Sequence, residues 1–311
     1  MTEPAAVPAT VASPVRSLRV LLQGVVDYAG LFPPASLAMS AAVAEYAGHR
    51  AAATAWALGR FVLPAARLEE FEAAADGVLP REGARSWAMS ALGASDLEED
   101  IERIERFNAR HANVRDGAVL VDTVEIKTHS PRDVTRAGEL LDRRFDTYME
   151  VPVEDDPAEL IAAISRTRCK AKIRTGGVTP DAFPTSAQVL RFAARCIAHG
   201  VSFKATAGLH HPWRDEYRLT YAREAPVGTM FGFLNMLLAV AALHAGLGEE
   251  HAIRLLEERD ASSVEFGHDG VRWRDASLPF QAVQRARETM STFGSCSFRE
   301  PIADLQAIHL L

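Results

Sequence analysis

Short apolar, β-branched runs alternate along this chain with amphipathic segments rich in Ala, Leu, Glu and Arg, a pattern that signals parallel βα units. Eight units can be counted. The first run covers residues 20–26 and leads through the loop 27–34 to a helix beginning after Ser36. Run 55–63 with helix 65–75 is the second. Run 86–92 with helix 97–112 is the third, capped by Ser95 with Glu98 three residues on. Run 118–126 precedes a helix from Pro131, a tolerated first-turn position for proline. Run 145–151 precedes a helix opened by Pro157. Run 169–174 precedes helix 186–199, closed by Gly200. Run 201–206 reaches a late helix, 229–245, across a long loop. Run 263–266 with a helix over 279–292 completes the count.

Eight βα units in about 290 residues match one (β/α)8 TIM barrel. A doubly wound open sheet is the alternative, but the GxGxxG turn of its dinucleotide-binding version is missing after the first run. No composition shift marks a boundary, so residues 17–311 read as one barrel domain. Residues 1–16, rich in Ala, Pro, Val and Ser with Glu3 near the start, read as a disordered tail and not as a signal peptide. The apolar stretch 228–247 carries Asn235 and His244 and reads as a buried helix, not a membrane span.

Composition narrows the function classes. The chain has 311 residues, 48% hydrophobic and 24% charged, which excludes wholesale disorder and a small disulfide-stapled scaffold. A formal charge of −7 gives no basic field for nucleic acid or an anionic membrane. Cys169, Cys196 and Cys296 form no CxxC pair, which fits a reducing, cytoplasmic compartment. The expected partner is a small-molecule substrate, and a homo-oligomer is compatible with the barrel.

In a barrel, chemistry sits at the carboxyl ends of the strands, so polar residues there carry functional weight. Strand alternation turns Ala171 and Ile173 toward the helices and Lys172 and Arg174 toward the barrel interior or its mouth. The same parity puts Phe203 and Ala205 outside and Lys204 inside. Two ammonium groups roughly 5 Å apart at an effective dielectric near 20 repel by about 3 kcal/mol, which lowers one pKa by about two units. A neutral amine is the nucleophile that forms a Schiff base with a carbonyl compound. The plainer alternative pairs each lysine with an acid such as Glu150 or Asp122.

Carboxylates lie on the neighbouring strands. Parity puts Asp122 and Glu125 on opposite faces, so at most one enters the pocket. Glu150 points inward, as a proton shuttle or as a salt-bridge partner. His210 and His211 follow the seventh run, and with Glu150 or Glu125 they form an alternative metal site, although no HxH or HExxH spacing supports it. Asp27 opens the first rim loop, where it orients a lysine or substrate, or caps a turn. Arg299 and Glu300 lie either over the barrel mouth or in solvent.

Four segments, in order, resemble the deoxyribose-phosphate aldolase family of class I aldolases. These are Val26-Asp27-Tyr28-Ala29-Gly30-Leu31-Phe32-Pro33, Val121-Asp122-Thr123-Val124, Lys172-Ile173-Arg174-Thr175-Gly176 and Lys204-Ala205-Thr206-Ala207-Gly208, spanning roughly residues 20–210. The resemblance implies that Lys172 forms the imine, Lys204 depresses its pKa and Asp122 relays protons. Two departures stand out. The family's paired glycines become Ala207-Gly208 and run into His210-His211-Pro212, and Arg174 replaces a small hydroxyl residue. Both point away from a phosphorylated substrate and toward one whose carboxylate meets Arg174. Thr175, Asp27, His210 and His211 complete the expected substrate contacts.

The expectation is a Schiff-base lyase for a small oxo or carboxylate compound, using no cofactor. A metal-dependent lyase or hydrolase built on His210 and His211 is the second reading. A non-catalytic ligand-binding barrel is the third.

Overall fold

A computed structural model describes residues 14–80, 86–94, 96–112, 118–141 and 143–311. Helix α1 (Arg16–Leu22) precedes strand β1 (Val26–Tyr28) and helix α2 (Met39–Ala51). Then follow β2 (Leu58–Pro64), α3 (Leu68–Ala74), β3 (Trp87–Leu92), α4 (Leu97–Arg110), β4 (Val119–Lys127) and α5 (Pro131–Leu141). Next come β5 (Asp146–Glu150), α6 (Ala158–Ile164), β6 (Lys170–Arg174), α7 (Ser186–Ala198) and β7 (Phe203–Thr206). A hairpin of β8 (Asp215–Arg218) and β9 (Val227–Met230) leads to α8 (Phe233–His244) and α9 (Gly248–Leu256). A small antiparallel sheet, β10 (Val264–Phe266), β11 (Gly270–Trp273) and β12 (Ala276–Pro279), precedes α10 (Phe280–Thr289), β13 (Met290–Ser295) and α11 (Arg299–Ala307).

Eight parallel strands close in the order β1-β13-β7-β6-β5-β4-β3-β2, which is the (β/α)8 barrel and not an open doubly wound sheet. Closure is made where β1 pairs with β13, Val26 opposite Phe293. Outward-facing apolar residues meet the helices as parity requires. Ala171 and Ile173 are fully buried, and the Phe203 ring meets Phe192 of α7 edge-on at 5.2 Å. Helix α8 is buried from Phe233 to Ala242, enclosed by α7, α9 and α10. Its one interior amide is satisfied, because Asn235 donates to the carbonyls of Leu255 and Glu258 and accepts from the Arg214 N–H. No helix among the described residues is long and apolar enough to cross a membrane.

The two ends of the barrel depart from the sequence pattern. Run 20–26 is not a strand: residues up to Leu22 form α1, whose buried Leu18, Leu21 and Leu22 follow helical spacing. Gly24, at φ +58°, then turns the chain into β1. Run 263–266 is an arm of the small antiparallel sheet. The eighth barrel strand is β13, whose first three residues lie inside the stretch expected as helix 279–292. The expected tail boundary at residue 16 falls within α1, and residues 1–13 lie outside those described. Ser95, the expected α4 cap, also lies outside them. Asp96 caps that helix instead, accepting the Glu99 N–H.

Candidate active site

The barrel interior is charged, where such barrels normally stack Val, Ile and Leu. Toward the amino ends of the strands, Arg60 forms a two-point ion pair with Asp122, at 2.6 and 2.9 Å. Asp146, the first residue of β5, lies 3.9 Å from Arg60 and 3.0 Å from Lys170, the first residue of β6. Burial opposes the Arg60 charge, but the bond to Asp122 outweighs it and holds the guanidinium above its ordinary pKa. The Tyr148 ring lies 5.3 Å from the ammoniums of both Lys170 and Lys204, joining this layer to the one above.

The upper layer is a chain of alternating charge. Lys204 Nζ, with no exposed surface, donates to Asp27 at 2.6 Å and to Glu125 Oε1 at 2.7 Å. Glu125 Oε2 takes Lys172 Nζ at 2.9 Å, and Lys172 also meets Glu150 at 2.9 Å. Lys172 and Lys204 sit opposite one another in the β6–β7 register, as parity predicts. They do not confront each other directly, because one carboxylate bridges them. Further bonds fix the ends: Asp27 accepts from Thr292 and from the Arg60 N–H, and Glu125 accepts from Ser90.

This arrangement reverses the electrostatic expectation for Lys204. Burial favours the neutral amine, but the charges of Asp27 and Glu125 prevail and hold Lys204 above the ordinary lysine range. Likewise, burial pushes the Glu125 carboxyl up, and the two lysine charges outweigh it and hold that carboxyl well below the usual range. Lys204 is therefore a fixed cation and Glu125 a fixed anion.

A β-bulge explains how Glu125 reached this position. Across β3 and β4, Met89 pairs with Val121 but Ser90 pairs with Thr123, leaving Asp122 as an extra residue. The extra residue resets parity, so Asp122 and Glu125 both serve the interior at different depths. Asp122, expected as the proton relay, is committed to Arg60 in the lower layer. Glu125 occupies the place beside both lysines.

The cavity at the carboxyl ends of the strands encloses about 240 Å³. Lys172, Lys204 and Glu125 line it together with Arg174, His210 and Cys296, against apolar walls that include Phe32, Val62, Leu92 and Met230. Arg174 has one weak contact, to the Gly176 carbonyl at 3.4 Å. Asp27 and Thr175 do not line the cavity. Asp27 anchors Lys204, and Thr175 donates to the Ala207 carbonyl at 2.7 Å, shaping the loop after β7. Glu150 reaches the site through Lys172, its side chain 13% exposed.

The adjacent histidines pair with acids of the C-terminal helix and not with Glu150 or Glu125. His210 Nδ1 meets Glu300 at 3.1 Å, and His211 Nδ1 meets Asp304, one helical turn on, at 2.5 Å. His211 also stacks on Tyr217 with ring centroids 3.6 Å apart. Among the described residues, no group of three or more His, Cys, Asp or Glu is arranged to hold a metal. Glu300 thus closes onto the barrel mouth, where Tyr221 also donates to it at 3.0 Å. Sequence reasoning missed this pairing, although the i,i+4 spacing of Glu300 and Asp304 on α11 is its signal.

Comparison with protein-family models, with curated proteins and with solved structures found no match to this chain.

Proposed function

We propose that this barrel is a Schiff-base lyase acting on a small oxo compound, with Lys172 as the imine-forming amine. Barrels of this kind commonly host enzymes, and their chemistry lies at the carboxyl ends of the strands, where this cavity opens. The observation that carries the reading is the asymmetry of the two lysines. Both lysines line the cavity and each meets two carboxylates, but the Lys204 side chain has no exposed surface, whereas that of Lys172 is 7% exposed and meets Glu150, the less buried of its two acids.

Glu125 is held ionised, so the proton that Lys172 must shed passes to Glu150. The free amine adds to the substrate carbonyl, and Glu150 returns its proton to the carbinolamine hydroxyl as water leaves, which gives the iminium and restores the Glu150 carboxylate. Glu150 then takes the proton of the β-hydroxyl group as the carbon–carbon bond breaks. The bond's electrons flow into the iminium, leaving an enamine and a free aldehyde. Protonation and hydrolysis of the enamine release the second product and restore Lys172. Lys204 and Glu125 position the amine, and the apolar walls keep bulk water from the intermediate.

The test is borohydride reduction of the protein with pyruvate or glycolaldehyde, read as intact mass. A reduced adduct on wild type and none on Lys172→Arg supports the reading. No adduct on wild type, or an undiminished adduct on the variant, overturns it. The metal-dependent alternative gains no observation here, since both histidines face acids on α11.

A further inference from the structure

We infer that the substrate is an oxo-carboxylate, its carbonyl at Lys172 and its carboxylate held between Arg174 and His210. This rests on the Schiff-base reading for the carbonyl, but the anion site stands on separate observations. Of the charged groups lining the cavity, Lys172, Lys204 and Glu125 satisfy one another, while among the described residues Arg174 has only a long contact to a carbonyl. A guanidinium at the mouth of a small apolar cavity suits a planar two-oxygen anion.

His210 is built to be the second cation. Its Nδ1 is committed to Glu300, and Glu300 is braced from the hairpin side by Tyr221. The groups facing the imidazole come from three elements. Ser295 and Cys296 at the end of β13 lie 3.4 and 3.9 Å from Nδ1, Glu300 comes from α11, and His211 is its neighbour in the loop. Burial works against the charge, but the bonds to Cys296 and Glu300 outweigh it and raise His210 to about 9, so the ring is cationic at neutral pH. Glu300 is then a positioning residue that holds a charge on another side chain.

Carboxylate is favoured over phosphate by the neighbouring helix end. A phosphate site normally uses free N–H groups at a helix N-terminus. The start of α11 instead gives the Glu300 N–H to Ser297 and presents the Glu300 carboxylate, which repels a dianion. The volume of about 240 Å³ falls below the drug-sized pocket range of roughly 300–1,000 Å³ and suits a compound of few carbons.

Calorimetric titration of the full-length protein tests this with propionate, which carries the carboxylate but no carbonyl, and with inorganic phosphate. Propionate is expected to bind wild type, and about tenfold or more weaker to Arg174→Gln and to His210→Asn. Wild-type affinity should hold to about pH 8 and fall as pH rises through about 9. In Glu300→Gln that fall should move toward neutral pH, an effect that a merely structural role for Glu300 does not produce. Equal propionate affinity in wild type and both cation variants overturns the anion site, as does tighter binding of phosphate than of propionate. Normal propionate binding without any borohydride adduct from pyruvate leaves the anion site standing and removes the Schiff base alone.

Discussion

Replacing Glu125 with Gln probes the core of the site. The side chain keeps its shape but loses the charge that joins two ammoniums. Lys204, with no exposed surface, keeps only Asp27, and Lys172 keeps only Glu150. With one ammonium on each carboxylate oxygen, the two nitrogens lie roughly 6 Å apart, and their repulsion at an effective dielectric of 20 is about 3 kcal/mol. Breaking a buried pair by removing one partner costs about 3–5 kcal/mol. The expected loss is therefore about 3 kcal/mol or more, read by urea denaturation at pH 7. The pH dependence gives a second readout. Because Glu125 is depressed in the folded state, its contribution is fully present above its unfolded value near 4.3 and is lost as pH falls through the lower folded value. The gap between wild type and Glu125→Gln should stay constant from pH 7 to 5 and narrow below about pH 4. A variant within 1 kcal/mol of wild type, or a gap unchanged in acid, refutes the account of Glu125 as the bridging anion.

Four further outcomes follow from the same geometry. Asp122→Asn leaves borohydride trapping at Lys172 intact and costs about 1 kcal/mol, because its ion pair is 24% and 33% exposed, whereas Glu150→Gln slows trapping at least tenfold. Gly59→Ala places a methyl against the Asp27 carboxylate that anchors Lys204, and the overpacking should lower stability by about 1–3 kcal/mol in the same denaturation assay. His210 is raised to about 9, so its contribution to stability is complete below its unfolded value near 6.5 and is lost as pH rises through 9. Thermal melts of Glu300→Gln should thus fall below wild type at pH 6 and approach it by pH 10.

The middle of the barrel was legible in the sequence because strands β5 to β7 carry apolar residues on one face and polar or charged residues on the other. That alternation located Lys172, Lys204 and Glu150 in the interior and Arg174 at its mouth. The two ends were not legible. The stretch Arg16–Leu22 has the apolar content of a strand, yet its leucines keep helical spacing. In β13, Met290–Ser295, small and hydroxyl residues dominate because its inward side serves Asp27 and Tyr148 through Thr292 and Ser291. A strand that supplies hydrogen bonds in place of bulk leaves no hydrophobic signature.

Glu125 was missed as the bridging acid for a different reason. Parity assumes an unbroken ladder, and the bulge at Asp122 inserts a residue that no periodicity reveals. Strand parity placed both lysines where the structure brings them together, whereas the proton relay implied by the resemblance to class I aldolases falls on Asp122, which pairs with Arg60. The charge balance was equally hidden. Asp27 lies 177 positions from Lys204, and only closure of the barrel shows that the acids outnumber the lysines in this network and hold Lys204 cationic.

The central claim is that Lys172, and not Lys204, is the nucleophile of the cavity. Peptide mapping after borohydride reduction with pyruvate reads this directly. The account predicts the added mass on the peptide carrying Lys172 and none on the peptide carrying Lys204. An adduct on Lys204, or on neither lysine, contradicts it.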